Sequence, residues 1–420
     1  MSQIRLLHFA DVHLGFTGPT SLVLDASEQR DSPGRYVREV DIENSITSIV
    51  KAIVHEQPPV DVVVFAGDLF HRPAPYPRAI SRAAKLVHRL VEHGIGVVII
   101  DGNHEVSNVL HTGSPTTFLK ELGAYVSNGG TYEVFRDCWN HLPDQKRERL
   151  ARLAIHALPY RAVAANTEFL GVRPLPGYIN VLVSHGRVTG MDDLNSLHRT
   201  AATIPAELLR RGWDYVALGD WHMHRHQPLS DVPAFYSGSL ESLNFGEAVF
   251  YPPRKDDAYA KHGGLYVRLE ADKLAAIQTF APYEARPVLR LDPIDASDID
   301  APTLMEILRQ RLKVGLPAEA LVLLEVNNCP AQTWERLEFA ELKELRKQVL
   351  RCEIRPDIRW PSLTQSDESV SETRLDSQWQ HFIEQREPDA GVYIWFLDQG
   401  IKRIEDARTA LLAEQAHAGE

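Results

Sequence analysis

Val60-Asp61-Val62-Val63-Val64-Phe65-Ala66, followed at once by Gly67-Asp68-Leu69-Phe70-His71, sets the pattern for the first 270 residues. A β-branched apolar run reads as a strand, and the glycine, acid and imidazole after it read as a loop at its carboxyl end. Six further runs read as strands: Ile4–Ala10, Gly96–Ile100, Leu153–Leu158, Ile179–Ser184, Tyr215–Leu218 and Leu265–Leu269. Between them, Asp41–Glu56 spaces Ile42, Ile46, Ile49, Val50 and Ile53 as one helical face, and Arg78–His93 does the same with Ile80, Ala83, Val87 and Leu90. Gly94 is a plausible stop for the second helix. The alternation predicts an α/β domain of sheet layers covered by helices.

A second unit is expected from Arg286, with strands at Val288–Leu291, Leu321–Val326 and Cys352–Ile358 and helices at Thr303–Leu312 and Trp334–Leu350. Residues 362–378 are polar and read as a linker. Residues 379–420 resume an apolar helical pattern, with Ile401, Ile404, Ala407, Leu411 and Leu412 in one stripe. No internal repeat is evident.

The 420 residues hold 45 Lys+Arg against 57 Asp+Glu, a net charge of −12. That disfavours binding nucleic acid by general basicity, although metal ions can supply positive charge locally. Cys138, Cys329 and Cys352 are odd in number and in no Cys-x-x-Cys spacing, which disfavours a disulfide framework or a thiolate zinc site. No run approaches the roughly 18 apolar residues of a membrane span, and the N-terminus lacks the pattern of a signal peptide. A soluble, cytoplasmic protein with no membrane partner is expected.

Five polar clusters follow predicted strands: Asp11-Val12-His13, Gly67–His71, Gly102-Asn103-His104-Glu105, Ser184-His185-Gly186 and Gly219-Asp220-Trp221-His222. Strand ends in α/β sheets are where loops converge on a ligand. Carboxylate, amide oxygen and imidazole together suit Mn2+, Fe2+ or Zn2+. One Asp shared between two ions would build a two-metal site. Taken singly, Asp-x-His is a common chance pair and Gly-Asp a common turn; the order and the strand context carry the signal. His88, His93, His156 and His262 read as surface or packing residues.

The order D-x-H, GDLFH, GNH(D/E), SHG and GxxH resembles that of calcineurin-like metallophosphoesterases. Gly67–His71, with Tyr236-Ser237-Gly238-Ser239-Leu240-Glu241 and Asn244-Phe245-Gly246-Glu247, is similar to the SbcD-type DNA repair nucleases within that superfamily. The resemblance implies a β-sandwich flanked by helices over residues 1–285, a small α/β capping domain at 286–361 and a C-terminal helical tail at 379–420. It implies Asp11, His13, Asp68, Asn103 and His185 as metal ligands, with Asp68 bridging. His104 would protonate the leaving oxygen or stabilise the transition state, and His71 would sit beside the scissile phosphate.

Two departures stand out. The family's Gly-His-x-His is here Gly219-Asp220-Trp221-His222-Met223-His224. An ungapped match makes Asp220 and His222 the last ligands; a two-residue shift would use His222 and His224. The ungapped match is preferred, because an Asp can replace a His as an oxygen ligand. Glu105 also stands where these nucleases have Asp, so its contact to His104 or a ligand is expected to differ.

The resemblance thus implies a DNA exonuclease or endonuclease in end processing, in repair or phage defence, using two divalent ions, expected as Mn2+. The implied partners are DNA, an SMC-like ATPase docked on the tail, and a second copy in a homodimer. The rival readings are a phosphodiesterase or phosphatase for a small nucleotide or phosphoprotein, and a metal-bearing scaffold that recruits an ATPase. Arg30, Arg35, Tyr36 and Arg38, with Arg72, Tyr76 and Arg78, are read either as solvated loop or as a grip on the DNA backbone.

Overall fold

A computed structural model of the chain describes residues 3–18, 30–31, 35–55, 58–107, 113–165, 169–191, 202–252, 262–270, 273–313 and 315–360. The linker at 362–378 and the tail at 379–420 lie outside them. Two compact units are distinguished: Met1–Cys329 with Arg336–Asp357, and Pro330–Glu335 with Ile358–Glu420. The second is represented here chiefly by the helix Ala331–Glu335.

The first unit is built on two facing sheets. One contains β1 (Ile4–Phe9), β2 (Val62–Ala66), β3 (Gly96–Ile100) and β4 (Tyr125–Ser127), mutually parallel. The other contains β5 (Glu133–Phe135), β6 (Leu153–Leu158), β7 (Ile179–His185), β8 (Tyr215–Gly219) and β9 (Ala234–Tyr236). In that sheet β6 to β9 are parallel and β5 is antiparallel.

Side chains alternate along β2 and fix the layers. Val62, Val64 and Ala66 point into the core shared with Ile155, Val181 and Ala217 of the opposing sheet. Val63 and Phe65 join the other core, with Ile42, Ile46 and Ile53 of helix α1 (Val37–Val54) and Val87 and Leu90 of helix α2 (Pro77–Glu92). Burial on both faces explains why these strands read as continuous apolar runs. The outer face of the second sheet packs Leu182, Val216 and Leu218 against Leu208 and Trp213.

A third sheet has the order β10 (Val249–Tyr251), β13 (Val288–Leu291), β15 (Leu321–Pro330) and β14 (Ile294–Asp295), with β16 (Arg351–Arg359) also on β15. Its edge strand β10 thus comes from before residue 286. The hairpin strands β11 (Gly264–Glu270) and β12 (Lys273–Phe280) extend the first sheet antiparallel to β1.

Two expectations need correcting. The single helix expected at Trp334–Leu350 is broken into Ala331–Glu335 and Phe339–Arg346. Glu338 between them has φ −78° and ψ 78°, outside the helical range, and Leu337 is buried. Helix α1 begins at Val37, four residues before Asp41, because Arg38 and Glu39 of its first turn are buried and so break the apolar pattern. Among the described residues no helix is long and apolar enough to cross a membrane.

Candidate metal centre

Parallel strands present their carboxyl ends along one edge, and both sheets do so here. Asp11 and His13 follow β1, Asp68 follows β2, and Asn103 and His104 follow β3. From the other sheet, His185 ends β7, and Asp220 and His222 follow β8. Pairing continues past the strand ends: Asp11 N–H donates to Gly67 O at 3.2 Å, and His13 N–H donates to Asp68 O at 2.9 Å. Those bonds hold Asp11, His13 and Asp68 at φ of 52°, 52° and 53°, and Asp220 stands at 95°. Left-handed backbone at non-glycine residues persists only where the surroundings over-determine it.

Two glycines are required by close approach. A Cβ at Gly102 would lie 2.1 Å from Asp68 Oδ1, and one at Gly67 would lie 2.2 Å from His185 Nδ1. Glu105, fully buried, ties the two loops together. Its carboxylate accepts from the backbone N–H of Asp68 at 3.1 Å, Phe70 at 2.7 Å and Gly102 at 2.8 Å. The longer acid is used on backbone amides of both loops.

Asp68 lies at the centre. Its Oδ1 is 3.6 Å from His185 Nε2, and its Oδ2 is 3.6 Å from His13 Nε2. Around His185 Nε2 also stand Asn103 Oδ1 at 2.9 Å and Asp220 Oδ1 at 3.8 Å. His13 Nε2 faces His222 Nε2 at 3.4 Å, and Asp11 comes within 4.8 Å of both the His13–His222 pair and the Asp68–His185 pair.

The tautomers show what this arrangement can hold. His185 Nδ1–H donates to Ala66 O at 2.8 Å, and His222 Nδ1–H donates to Glu247 Oε1 at 2.8 Å. In its neutral form each ring leaves Nε2 as a lone pair turned toward other acceptors, Asn103 Oδ1 in one case and His13 Nε2 in the other, a place that either a proton or a metal ion can fill. Acceptors that converge on acceptors are satisfied by a cation, and carboxylate, amide oxygen and imidazole fit a divalent ion of borderline hardness. The donor set therefore fits a pair of metal ions that share Asp68.

The electrostatics follow from burial and crowding. Burial, with Asp68 and Asp220 nearby, pushes the Asp11 carboxyl up to about 6. Burial works against a charged His222, yet Glu247, Asp11 and Asp68 raise it to about 10. His13 is driven well below the usual imidazole range by burial and then by His104 and His222. Burial, His104 and Arg72 take His71 down to about 4.

His104 and His71 form one wall beside these groups. His104 Nδ1–H donates to His71 O at 2.7 Å, its N–H donates to Asp68 Oδ1 at 3.0 Å, and its side chain is 34% exposed. The His71 ring stacks on it at 5.1 Å and 29°. Every ligand and catalytic position expected from the sequence is gathered here. His224 is placed elsewhere, with Nδ1–H donating to Ser237 O at 2.8 Å and Nε2 3.0 Å from Thr279 Oγ1.

The arginines and tyrosines left between solvated loop and a grip on DNA are divided by the structure. Arg38 is 6% exposed and bonds Asp41, Glu241 and Ser242 O, while Arg35 pairs with Glu43, so both are spent inside the fold. Arg72 and Tyr76 remain on the surface beside His71, joined at 2.9 Å. Two residues of the centre were missed from sequence. Glu247 sat unassigned in the Asn244–Glu247 segment, and Arg187 directly follows the Ser184-His185-Gly186 cluster.

Comparison with known proteins gives a consistent picture. The profile of the family described as calcineurin-like phosphoesterase matches residues 4–230. The DNA double-strand break repair protein Mre11 of Methanopyrus kandleri is 24% identical over 327 residues, 74% of this chain and 63% of that protein. Its namesake from Aeropyrum pernix is 27% identical over 257 residues, 58% of this chain and 55% of that protein. The SbcD subunit of the SbcCD nuclease of Bacillus subtilis is 28% identical over 276 residues, 58% of this chain and 63% of that protein. The matches thus span 55% to 63% of these relatives' own lengths.

Proposed function

From the premise that this chain belongs to the calcineurin-like phosphoesterase family, we propose that it is a two-metal phosphodiesterase that cuts DNA. The observation that carries the reading is Asp68, whose two oxygens each stand 3.6 Å from the Nε2 of a different histidine. One pocket is assigned to Asp11, His13, Asp68 and His222, and the other to Asp68, Asn103, His185 and Asp220. Divalent ions there, Mn2+ by preference, would supply Lewis acidity and an acidified water.

The chain's own groups do the rest. His104, its Nδ1–H committed to His71 O, has Nε2 3.9 Å from Asp68 Oδ2 and can hold there the proton that the leaving oxygen needs. His71 braces that ring and lines the approach to it. Arg72, half-buried next to His71, and the exposed Tyr76 offer a cation and a ring to the following phosphates and bases, which a chain of net charge −12 must provide locally.

DNA is preferred over a small phosphoester because the relatives are named as a double-strand break repair protein and a nuclease subunit. By the same likeness, the chain is proposed to act in DNA end processing in the cytoplasm, in repair or defence. Its partner would be an SMC-like ATPase bound through residues 379–420, with self-association as a homodimer. The module at 286–361 would cap the catalytic domain at 1–285.

The test is cleavage of end-labelled single- and double-stranded DNA by the full chain with Mn2+, with EDTA, and with His104→Ala. Metal-dependent cleavage that the variant loses supports the proposal. Hydrolysis of bis(p-nitrophenyl) phosphate with both DNA substrates left intact would overturn the choice of DNA.

A further inference from the structure

On the two-pocket reading above, we propose that the pockets select different ions, and that Asp220 with Arg187 makes the second pocket the harder of the two. The first offers two imidazole nitrogens, His13 and His222, 3.4 Å apart. The second offers one, His185 Nε2, with Asn103 Oδ1 at 2.9 Å, Asp68 Oδ1 at 3.6 Å and Asp220 Oδ1 at 3.8 Å. Three oxygens to one nitrogen shift relative preference toward Mn2+ and Mg2+; each added imidazole shifts it toward Zn2+.

Asp220 is held for this role from two sides, and one of its partners is itself held. Its backbone N–H donates to Asp11 Oδ1 at 3.0 Å. Its Oδ2 accepts from Arg187 Nε at 3.2 Å, which leaves Oδ1 as the oxygen facing His185. The Arg187 guanidinium in turn lies 4.6 Å over the Trp221 ring. A carboxylate can serve a guanidinium and an ion at once, one oxygen to each. A neutral imidazole has a single bare nitrogen and must choose between them. Arg187 therefore goes with an Asp at position 220: it balances the added charge and keeps the carboxylate one-handed toward the pocket.

Arg187 is a positioning residue on this account. The backbone on either side of it is itself pinned, since Tyr236 Oη accepts from Val188 N–H at 3.1 Å and donates to Gly186 O at 2.8 Å. A guanidinium fixed in this way sets the carboxylate's rotation directly.

The test loads the full chain with Mn2+ and titrates in Zn2+, following released Mn2+ by elemental analysis and retained Mn2+ by electron paramagnetic resonance. Two separate steps are expected, one Mn2+ leaving well before the other, with the signal of an isolated Mn2+ between them. Asp220→His should merge the steps. Arg187→Met should lower Mn2+ affinity of the late-exchanging pocket about 10–100-fold and leave the other unchanged; it also serves if Asp220→His does not fold. Two Mn2+ that leave wild type together, or two unchanged steps in Asp220→His, overturn the selectivity while the two-pocket reading stands. Fewer than two Mn2+ bound at the outset overturns both.

Discussion

His222 and Glu247 are joined by a 2.8 Å hydrogen bond, and two residues before Glu247 the Phe245 ring is buried with Val288, Leu321 and Leu323 in the core of the third sheet. Glu247 also accepts from Leu243 N–H at 2.7 Å and from Asn244 Nδ2 at 2.6 Å, so its carboxylate is fixed before it meets the imidazole. Packing in the third sheet is thereby linked to the orientation of a proposed ligand through one short 3-10 turn. Glu247→Gln is expected to weaken binding of one of two Mn2+ about 10–100-fold, with thermal stability near wild type. Calorimetric titration with Mn2+ checks it; two unaltered affinities would count against the link.

His104→Ala is expected to retain two metal ions and DNA binding while kcat falls about 10²–10⁴-fold. The bond from His104 Nδ1 to His71 O leaves Nε2 to do the proton transfer, so His104→Asn should be no better. Single-turnover cleavage with metal content measured on the same samples separates a chemical defect from lost metal.

The two histidines of the Asp220–His224 segment are expected to behave differently. His224 bonds Ser237 O and faces Thr279, whereas His222 faces His13. His224→Ala should keep both ions, and His222→Ala should lose one. Loss of an ion from His224→Ala by elemental analysis would favour the shifted register.

Much of this was legible in the sequence because the parallel strands are buried on both faces. Gly96–Ile100, Leu153–Leu158 and Val288–Leu291 have the ends their apolar runs suggest. The strand Lys273–Phe280 was not legible: it is a half-exposed edge whose Ala275 and Ala276 have weak strand preference. At the centre, each proposed ligand sits in a cluster that directly follows a strand, and local pattern finds such positions. Glu247 and Arg187 escaped because their partners are 25 and 33 residues distant, His222 and Asp220. Nothing local marks a carboxylate as the partner of a distant imidazole. The place of Arg38 escaped for the same reason, since two of its partners, Glu241 and Ser242, lie 203 and 204 residues away.

Stability is expected to fall in mild acid, in part through His156. This side chain is buried between Tyr132 and Asn180, with Nε2 2.9 Å from Asn180 Oδ1. Burial lowers it from 6.5 to about 4, although the Asn180 bond works the other way. Between those values the unfolded chain binds more protons than the folded one, so stability rises with pH across the window and is lost as pH falls from 6.5 toward 4. A tenfold change in proton affinity is worth about 1.4 kcal/mol. Urea unfolding at pH 7, 6, 5 and 4 checks this, and a His156→Gln variant with an unchanged slope would contradict it.

The shared position of Asp68 between two imidazoles is tested most directly by the metal content of Asp68→Asn beside wild type, both loaded with Mn2+, desalted and analysed by mass spectrometry. The amide keeps the size and one oxygen but loses the charge that two dications would share, so two equivalents are expected in wild type and fewer than one in the variant. Circular dichroism on the same samples shows that the fold is kept. Two equivalents retained by folded Asp68→Asn would contradict the bridging role.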